Sequence, residues 1–295
     1  MPEIFDVNVD NFLNKQTEIG YDLLVLGNPN IKVMIPRNSS NRFKTLIMSA
    51  IVCESLDLKS VDYVVKKYSN KWSFQSELSQ VEVIFMKTLD FINITIKEYM
   101  QKLHSISSID TIGLIVARAS MCRLLSTFKS ILILSSNKLF IESISLCRII
   151  LEQCAWAYSI HRMNSEEDII KTKPSKCIKN FNKFYSKAGI LNGWFSNRVH
   201  VSPNLFNEYI GIYENKTELF LIKKEDYAYN YNAILNVTDI FCCTTEFIFK
   251  DFLDNFNFIK NSDGKYIVDT ERKFISYATE LLDEIKKISG WDDIS

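Results

Sequence analysis

The chain has 295 residues, with 35 basic and 35 acidic side chains and an apolar fraction of 47%. This balance excludes an intrinsically disordered protein, because disorder requires low hydrophobicity and high net charge. Glycine (8) and proline (5) together make up about 4% of the chain, against roughly 12% in average proteins. Since sandwiches and barrels need many turns, the composition predicts a mostly helical protein.

The first predicted elements form a small accessory region at residues 1–72. Two β-favouring runs, Tyr21–Leu26 and Ile31–Ile35, flank the turn sequence Gly27-Asn28-Pro29-Asn30, which predicts a β-hairpin. Helices are expected to follow it near residues 40–56 and 60–70.

The remaining residues, 73–295, predict a helical-bundle domain. Apolar residues recur at helical spacing over residues 78–103, 112–134, 138–163, 226–256 and 270–288. Pro174 fits the first turn of another helix, Gly189 fits its C-terminal end, and Pro203 fits the start of the next helix. Asn261-Ser262-Asp263-Gly264 predicts a turn with short flanking strands. The predicted fold class is all-α: a multi-helix bundle with a small N-terminal appendage that includes the hairpin.

The sequence shows no sign of export, membrane insertion or a metal site. The N-terminus lacks a basic segment followed by an apolar one, and the chain has no run of ~20 apolar residues. The seven cysteines are scattered, and His104, His161 and His200 have no ligand spacing. We therefore expect a cytoplasmic protein with reduced cysteines, no metal and no cofactor.

The helix predicted at residues 138–163 is apolar on nearly all sides, which is typical of a buried helix. Its predicted core residues are Cys147, Leu151, Ala155 and Tyr158. A narrow polar line on it contains Arg148 and Glu152, which are four residues apart and can form an ion pair.

We expect Arg148 to be largely buried, with Arg118 of the preceding helix as a third member of the cluster. Two interpretations are open. The cluster is either a structural ion pair or the lining of a pocket in which arginine binds phosphate.

Residues 169–207 contain seven cations and no acidic residue, so the rest of the chain carries seven more acids than bases. Helical spacing places four lysines opposite an apolar stripe: Lys176, Lys179, Lys183 and Lys187. Trp194 adds a ring that can stack on an unpaired base. Three interpretations are open: a solvated lysine face, a nucleic-acid surface, or a surface for an acidic protein.

A short polar loop is predicted at Ser196–Pro203, ahead of a helix start, and it contains Arg198 and His200. Helix N-termini bind anions, and histidine can transfer protons near neutral pH. His200 is therefore a candidate catalytic residue, with a purely structural histidine as the alternative. His104 and His161 have no comparable surroundings.

Residues 118–203 resemble a family of uncharacterised bacterial helical proteins that are similar to the HEPN superfamily. The matching residues are Arg118, Arg148-Ile149-Ile150-Leu151-Glu152 and His200-Val201-Ser202-Pro203. The resemblance implies a HEPN-like bundle acting as a metal-independent endoribonuclease of a bacterial defence or toxin–antitoxin system. It further implies a homodimer, with RNA and an antitoxin or defence protein as partners.

In that enzyme, His200 would be the general acid or base. Arg118, Arg148 or Arg198 would stabilise the charge on the reacting phosphate, and Glu152 would orient the arginine. The chain lacks the superfamily's arginine four to six residues before histidine, so the arginine would come from another helix or a second subunit. The alternative hypothesis is a non-catalytic helical module that binds a nucleotide or a partner protein, as an antitoxin or an assembly subunit. Whether the chain is an enzyme is open between the two.

Overall fold

The computed structural model describes residues 23–28, 30–36, 39–72, 74, 80–107, 109–199, 210–213, 216–219 and 224–289. The chain divides into two compact units, residues 1–77 and 78–295. Two residues singled out from the sequence, His200 and Pro203, lie outside the described residues.

The smaller unit contains the predicted N-terminal hairpin, with strands β1 (Leu23–Gly27) and β2 (Lys32–Pro36). Gly27 has a φ of 151°, and a Cβ there would lie 2.0 Å from the carbonyl oxygen of Ile31, so the turn requires glycine. Helices α1 (Asn41–Ser55) and α2 (Val61–Tyr68) follow, and a 3₁₀ turn continues over Ser69–Lys71. The hairpin and both helices agree with the prediction.

The larger unit is a helical bundle. Its described helices are α3 (Gln80–Ser105), α4 (Ile112–Ser136), α5 (Phe140–Ile160), α6 (Glu166–Lys171), α7 (Pro174–Phe181), α8 (Ala188–Val199), α9 (Lys224–Ile248) and α10 (Lys273–Ser289). A 3₁₀ turn, Lys250–Phe252, follows α9. The predicted all-α class is therefore confirmed.

Two antiparallel hairpins interrupt the helices. Strands β3 (Ile210–Tyr213) and β4 (Lys216–Leu219) form one that the sequence did not predict. Strands β5 (Ile259–Ser262) and β6 (Lys265–Val268) flank the predicted turn at Gly264. Asp263 and Gly264 both have positive φ, and the Asn261 side chain accepts the Gly264 N–H at 2.9 Å. Among the described residues each sheet has two strands.

Helices α5 and α9 form the centre of the bundle. Helix α5 packs against α4, α7, α8 and α9, and α9 packs against α3, α4 and α10 as well. Nearly every α9 side chain from Tyr227 to Ile248 is buried. Cys147, Leu151 and Ala155 of α5 are in the core as predicted, whereas Tyr158 is only half-buried. No described helix is long and apolar enough to cross a membrane.

The basic helix predicted to run through Lys187 is interrupted. Pro174 does begin α7, but the helix ends at Phe181, and Gly189 lies in the first turn of α8. The side-chain oxygen of Asn182 accepts the Gly189 N–H at 2.9 Å, so the residue after α7 holds the start of α8. Lys183 and Lys187 therefore lie in the turn Asn182–Lys187 between two helices.

The loop predicted at Ser196–Pro203 is also wrong over its first four residues. Ser196 to Val199 form the last turn of α8, and the Ser196 hydroxyl donates to the carbonyl of Asn192 at 2.6 Å.

Candidate functional site

Arg118 caps a neighbouring helix. Its Nε and Nη2 donate to the carbonyls of Leu103 and His104, at 2.8 and 3.1 Å, at the C-terminal end of α3. A hydrogen bond of 3.0 Å between Arg123 and Gln153 sets the register of the antiparallel helices α4 and α5. That register puts Arg118 about ten residues, or ~15 Å, along α5 from Arg148. The structure does not bring the three predicted cluster residues together.

Arg148 and Glu152 do form the predicted ion pair, at 2.9 Å. Their side chains are 26% and 25% exposed, so Arg148 is largely but not fully buried, in line with the prediction. The pair lies at the outer edge of α5 and lines none of the cavities described below.

Arg198 is held between two aromatic rings. Its guanidinium carbon lies 3.9 Å from the Trp194 ring centroid and 4.5 Å from that of Tyr229. Such cation–π contacts stabilise by about 0.5–1 kcal/mol when exposed and more when desolvated. Arg198 and Trp194 thus join α8 to α9.

The four predicted lysines, Lys176, Lys179, Lys183 and Lys187, are all exposed. Two of them line cavities: Lys183 one of about 400 Å³, and Lys187 an adjoining one. The first cavity is the strongest candidate for a functional site, and we call it the cationic cleft.

The cationic cleft forms where four segments of the larger unit meet. Helix α5 and the residues after it contribute Tyr158 and Arg162, and the turn after α7 contributes Lys183 and Phe184. The end of α9, the 3₁₀ turn after it and the hairpin β5–β6 supply the rest of the lining: Phe247, Lys250, Gly264, Lys265, Tyr266 and Ile267. Its described lining therefore has four cations, four aromatic rings and no carboxylate.

The cations in the cleft have few partners. Arg162, Lys183 and Lys265 form no ion pair with another described residue. Lys250 pairs with Asp251 at 3.1 Å, but that carboxylate is 74% exposed, and exposed pairs contribute little. Four like charges around one concavity repel one another and attract an anion, which relieves the repulsion.

The floor of the cleft is aromatic. Tyr158 and Phe184 stack with centroids 5.3 Å apart, and Phe247 lies 5.2 and 4.5 Å from them. Tyr158 is only half-buried because its ring faces this cleft, which corrects its prediction as a core residue.

His161 lies behind this floor, with its ring centroid 5.8 Å from Tyr158 and 5.9 Å from Phe247. Its Nδ1 is 2.6 Å from the Tyr158 carbonyl, to which it donates, and its buried Nε2 finds no partner among the described residues. The His161 pKa is lowered to about 4. Burial is the main cause, the hydrogen bond to the Tyr158 carbonyl opposes it, and the nearby charges of Arg162 and Lys250 add to the lowering. The imidazole is therefore neutral at physiological pH.

A buried acid on α9 fixes one wall of the cleft. Asp239 accepts from Arg272 Nε at 2.6 Å and from the Tyr185 hydroxyl at 2.7 Å. Tyr185 belongs to the turn that presents Lys183 and Phe184, and burial raises its pKa, so it stays protonated and donates. Asp239 thus holds that turn against α9.

A second buried acid on α9 fixes the opposite wall. Glu246 accepts the backbone N–H groups of Asn257, Phe258 and Ile259 at 2.8, 2.8 and 3.0 Å, and also the Tyr99 hydroxyl. These bonds hold the start of β5, and so the hairpin that carries Lys265 and Tyr266.

Neither these supporting acids nor most of the cleft residues were predicted from the sequence. A usable signal existed for the acids, because Asp239 and Glu246 stand alone in a run rich in apolar residues. No comparable signal marked Arg162, Lys250 or Lys265, which are far apart in the chain and resemble ordinary surface cations.

No family model, no curated protein and no solved structure matches this chain. The HEPN resemblance of residues 118–203 therefore stays a prediction. No group of three or more metal-ligating side chains occurs in the part of the chain that the structure describes. The chemistry of the cationic cleft is what indicates a function.

Proposed function

We propose that this protein binds RNA in the cationic cleft. The observation that supports this is the lining itself, in which Arg162, Lys183, Lys250 and Lys265 surround an aromatic floor without a described carboxylate. Lysine and arginine neutralise backbone phosphates, and aromatic rings receive unpaired bases. Both parts of a nucleotide thus have a matching surface in one cleft.

The shape and chemistry of the cleft favour a nucleic acid over an acidic protein partner. A volume of about 400 Å³ is that of a small-molecule site rather than of a flat interface. Arg162 has a planar fork of donors that matches phosphate oxygens. The carboxylates of an acidic peptide would pair with the cations but supply no flat ring for the aromatic floor, whereas every nucleotide has both a phosphate and a flat base.

The cleft is also held in shape before a ligand arrives. Asp239 fixes the turn with Lys183 and Phe184, and Glu246 fixes the hairpin with Lys265 and Tyr266. Preorganised walls reduce the ordering cost of binding.

Binding without cleavage is the activity that this geometry supports best, so the non-catalytic hypothesis is the one we develop. Arg118 donates hydrogen bonds to carbonyls at the end of α3, and Arg148 forms an ion pair with Glu152. Arg198 lies between two aromatic rings. The described cleft contains no imidazole in its lining. We therefore expect RNA incubated with the protein and EDTA to stay intact. Cleavage that His200→Ala removes would instead establish the ribonuclease hypothesis.

The test compares two double variants that remove the same charge. Lys183→Gln/Lys265→Gln removes two cations of the cleft, whereas Lys176→Gln/Lys179→Gln removes two exposed cations from α7 that do not line it. Fluorescence anisotropy with a labelled single-stranded oligoribonucleotide gives the affinity across a salt series. The cleft variant should reduce the slope of log affinity against log salt by ~1.4, because each phosphate contact on a single strand contributes ~0.7.

The control variant should bind RNA with an affinity within about twofold of that of the unchanged protein. Its two lysines do not line the cleft, so they contribute only to the long-range electrostatic attraction. An equal loss of RNA affinity in both variants would show that RNA binding depends only on the number of lysines on this surface. The cleft would then not be the binding site. The same conclusion follows if the unchanged protein binds no RNA at low salt.

A further inference from the structure

A second cavity adjoins the cationic cleft. Phe184 and Ile267 line both, so the two cavities have these side chains as a common wall. The second cavity has a volume of about 360 Å³ and lies between the turn after α7, the end of β6 and helices α9 and α10. We propose that this cavity is a second phosphate-binding subsite, and that an RNA strand passes from the cleft over Phe184 and Ile267 into it. This inference rests on the proposed function of the cleft.

The lining of the second cavity suits a phosphate. It contains the cations Lys187 and Arg272, the hydroxyls of Ser186 and Thr270, and no described carboxylate. Lys187 is exposed and forms no ion pair with another described residue. Hydroxyl and ammonium groups together are common ligands of backbone phosphates.

Arg272 has a different part in this subsite from Lys187. Its Nε and Nη2 donate to Asp239 and its Nη1 donates to the Asp269 carbonyl, so Asp239 offsets its charge. Because the guanidinium has five N–H groups, it can still donate to an oxygen in the cavity. Lys187 therefore supplies the uncompensated charge, and Arg272 supplies a fixed donor.

The charges also indicate where the path ends. Lys187, Asn236 and Ile275 also line a third cavity, of only about 170 Å³. The lining of that cavity includes Asp239 and several apolar side chains, and Lys187 is its one cation among the described residues. A strand held by its phosphates thus has two favourable subsites, one in the cationic cleft and one beside Lys187.

A length series of RNA tests this path. The probes are uridine 5′-monophosphate and 5′-phosphorylated oligouridylates of two, four and eight nucleotides, whose binding to the unchanged protein and to three single variants is measured by calorimetry. Lys265→Gln lies in the cleft, Lys187→Gln in the second cavity, and Lys179→Gln is the exposed control. We expect Lys265→Gln to weaken every probe, and Lys187→Gln to weaken only the oligonucleotides, by roughly fivefold with a salt slope lower by ~0.7.

Each outcome bears on a different part of the reasoning. If the unchanged protein binds the monophosphate as tightly as the octanucleotide, and Lys187→Gln has no effect on either, the second subsite is wrong while the cleft stands. If no probe binds at any length, the proposed function fails and the subsite fails with it. Thermal denaturation of each variant checks folding, and substitution of these exposed lysines should leave the melting temperature nearly unchanged.

Discussion

Acid should destabilise this fold through His161, and the effect can be isolated by a single substitution. The side chain is only 7% exposed, and burial lowers its pKa to about 4. In the unfolded chain a histidine titrates near ~6.5. Because the unfolded state binds the proton more tightly, the free energy of unfolding falls as the pH drops below that value, and the loss is complete below the folded pKa.

The size of the effect follows from the gap between the two pKa values. A gap of about 2.5 units corresponds to ~3 kcal/mol at pH values below the folded pKa, and to ~2 kcal/mol at about pH 5. His161→Asn places an amide donor near the Tyr158 carbonyl but does not titrate. The stability difference between the unchanged protein and this variant should therefore narrow by about 2 kcal/mol between about pH 7.5 and pH 5.

Urea unfolding followed by circular dichroism, repeated across this pH range, measures that difference. His104→Asn is the matched control, because His104 is exposed in the last turn of α3. That variant shows what the loss of an exposed imidazole does over the same pH range. A stability difference between the unchanged protein and His161→Asn that stays constant with pH would refute the reasoning, since the imidazole would then titrate as it does in the unfolded chain.

Two further substitutions test the ion pairs. Asp239→Asn should cost about 3–5 kcal/mol in urea unfolding, because it leaves the buried guanidinium of Arg272 without a countercharge. A cost below about 1 kcal/mol would mean that water reaches the pair. Glu152→Ala should cost no more than about 1 kcal/mol, because Arg148 is a quarter exposed and can be solvated. A loss of several kcal/mol there would mean that water does not reach the Arg148 guanidinium once its partner is removed.

The helices could be predicted because their signals are local. Pro174 begins α7 through its own fixed φ, and Gly27 and Gly264 mark turns through their positive φ. The helical periodicity of α3, α4 and α5 depends on neighbouring residues alone, so their ends fall within a few residues of the prediction.

The break between α7 and α8 could not be predicted in the same way. The lysine and apolar stripes continue at helical spacing through residue 188, so local pattern favours one helix. The opposing contact is the Tyr185 hydroxyl on Asp239, which lies 54 residues further along the chain. Tertiary contacts of this kind override local helix preference. Lys183 therefore lies at the rim of the cleft and not on the helix face where the sequence pattern predicts it.

The two buried acids of α9 explain why a cleft exists at this place. They are seven residues apart, so they project from nearly the same face of α9 and are ~10 Å apart along its axis. Burying two carboxylates is costly unless each is fully hydrogen-bonded, and here each is satisfied by a segment that carries a wall of the cleft. The same helix then contributes Phe247 to the space between these walls, and the 3₁₀ turn that follows it contributes Lys250. Helix α9 thus fixes the position of every cation in the cleft except Arg162. The position of Arg162, just after the end of α5, is set by the packing of α5 against α9.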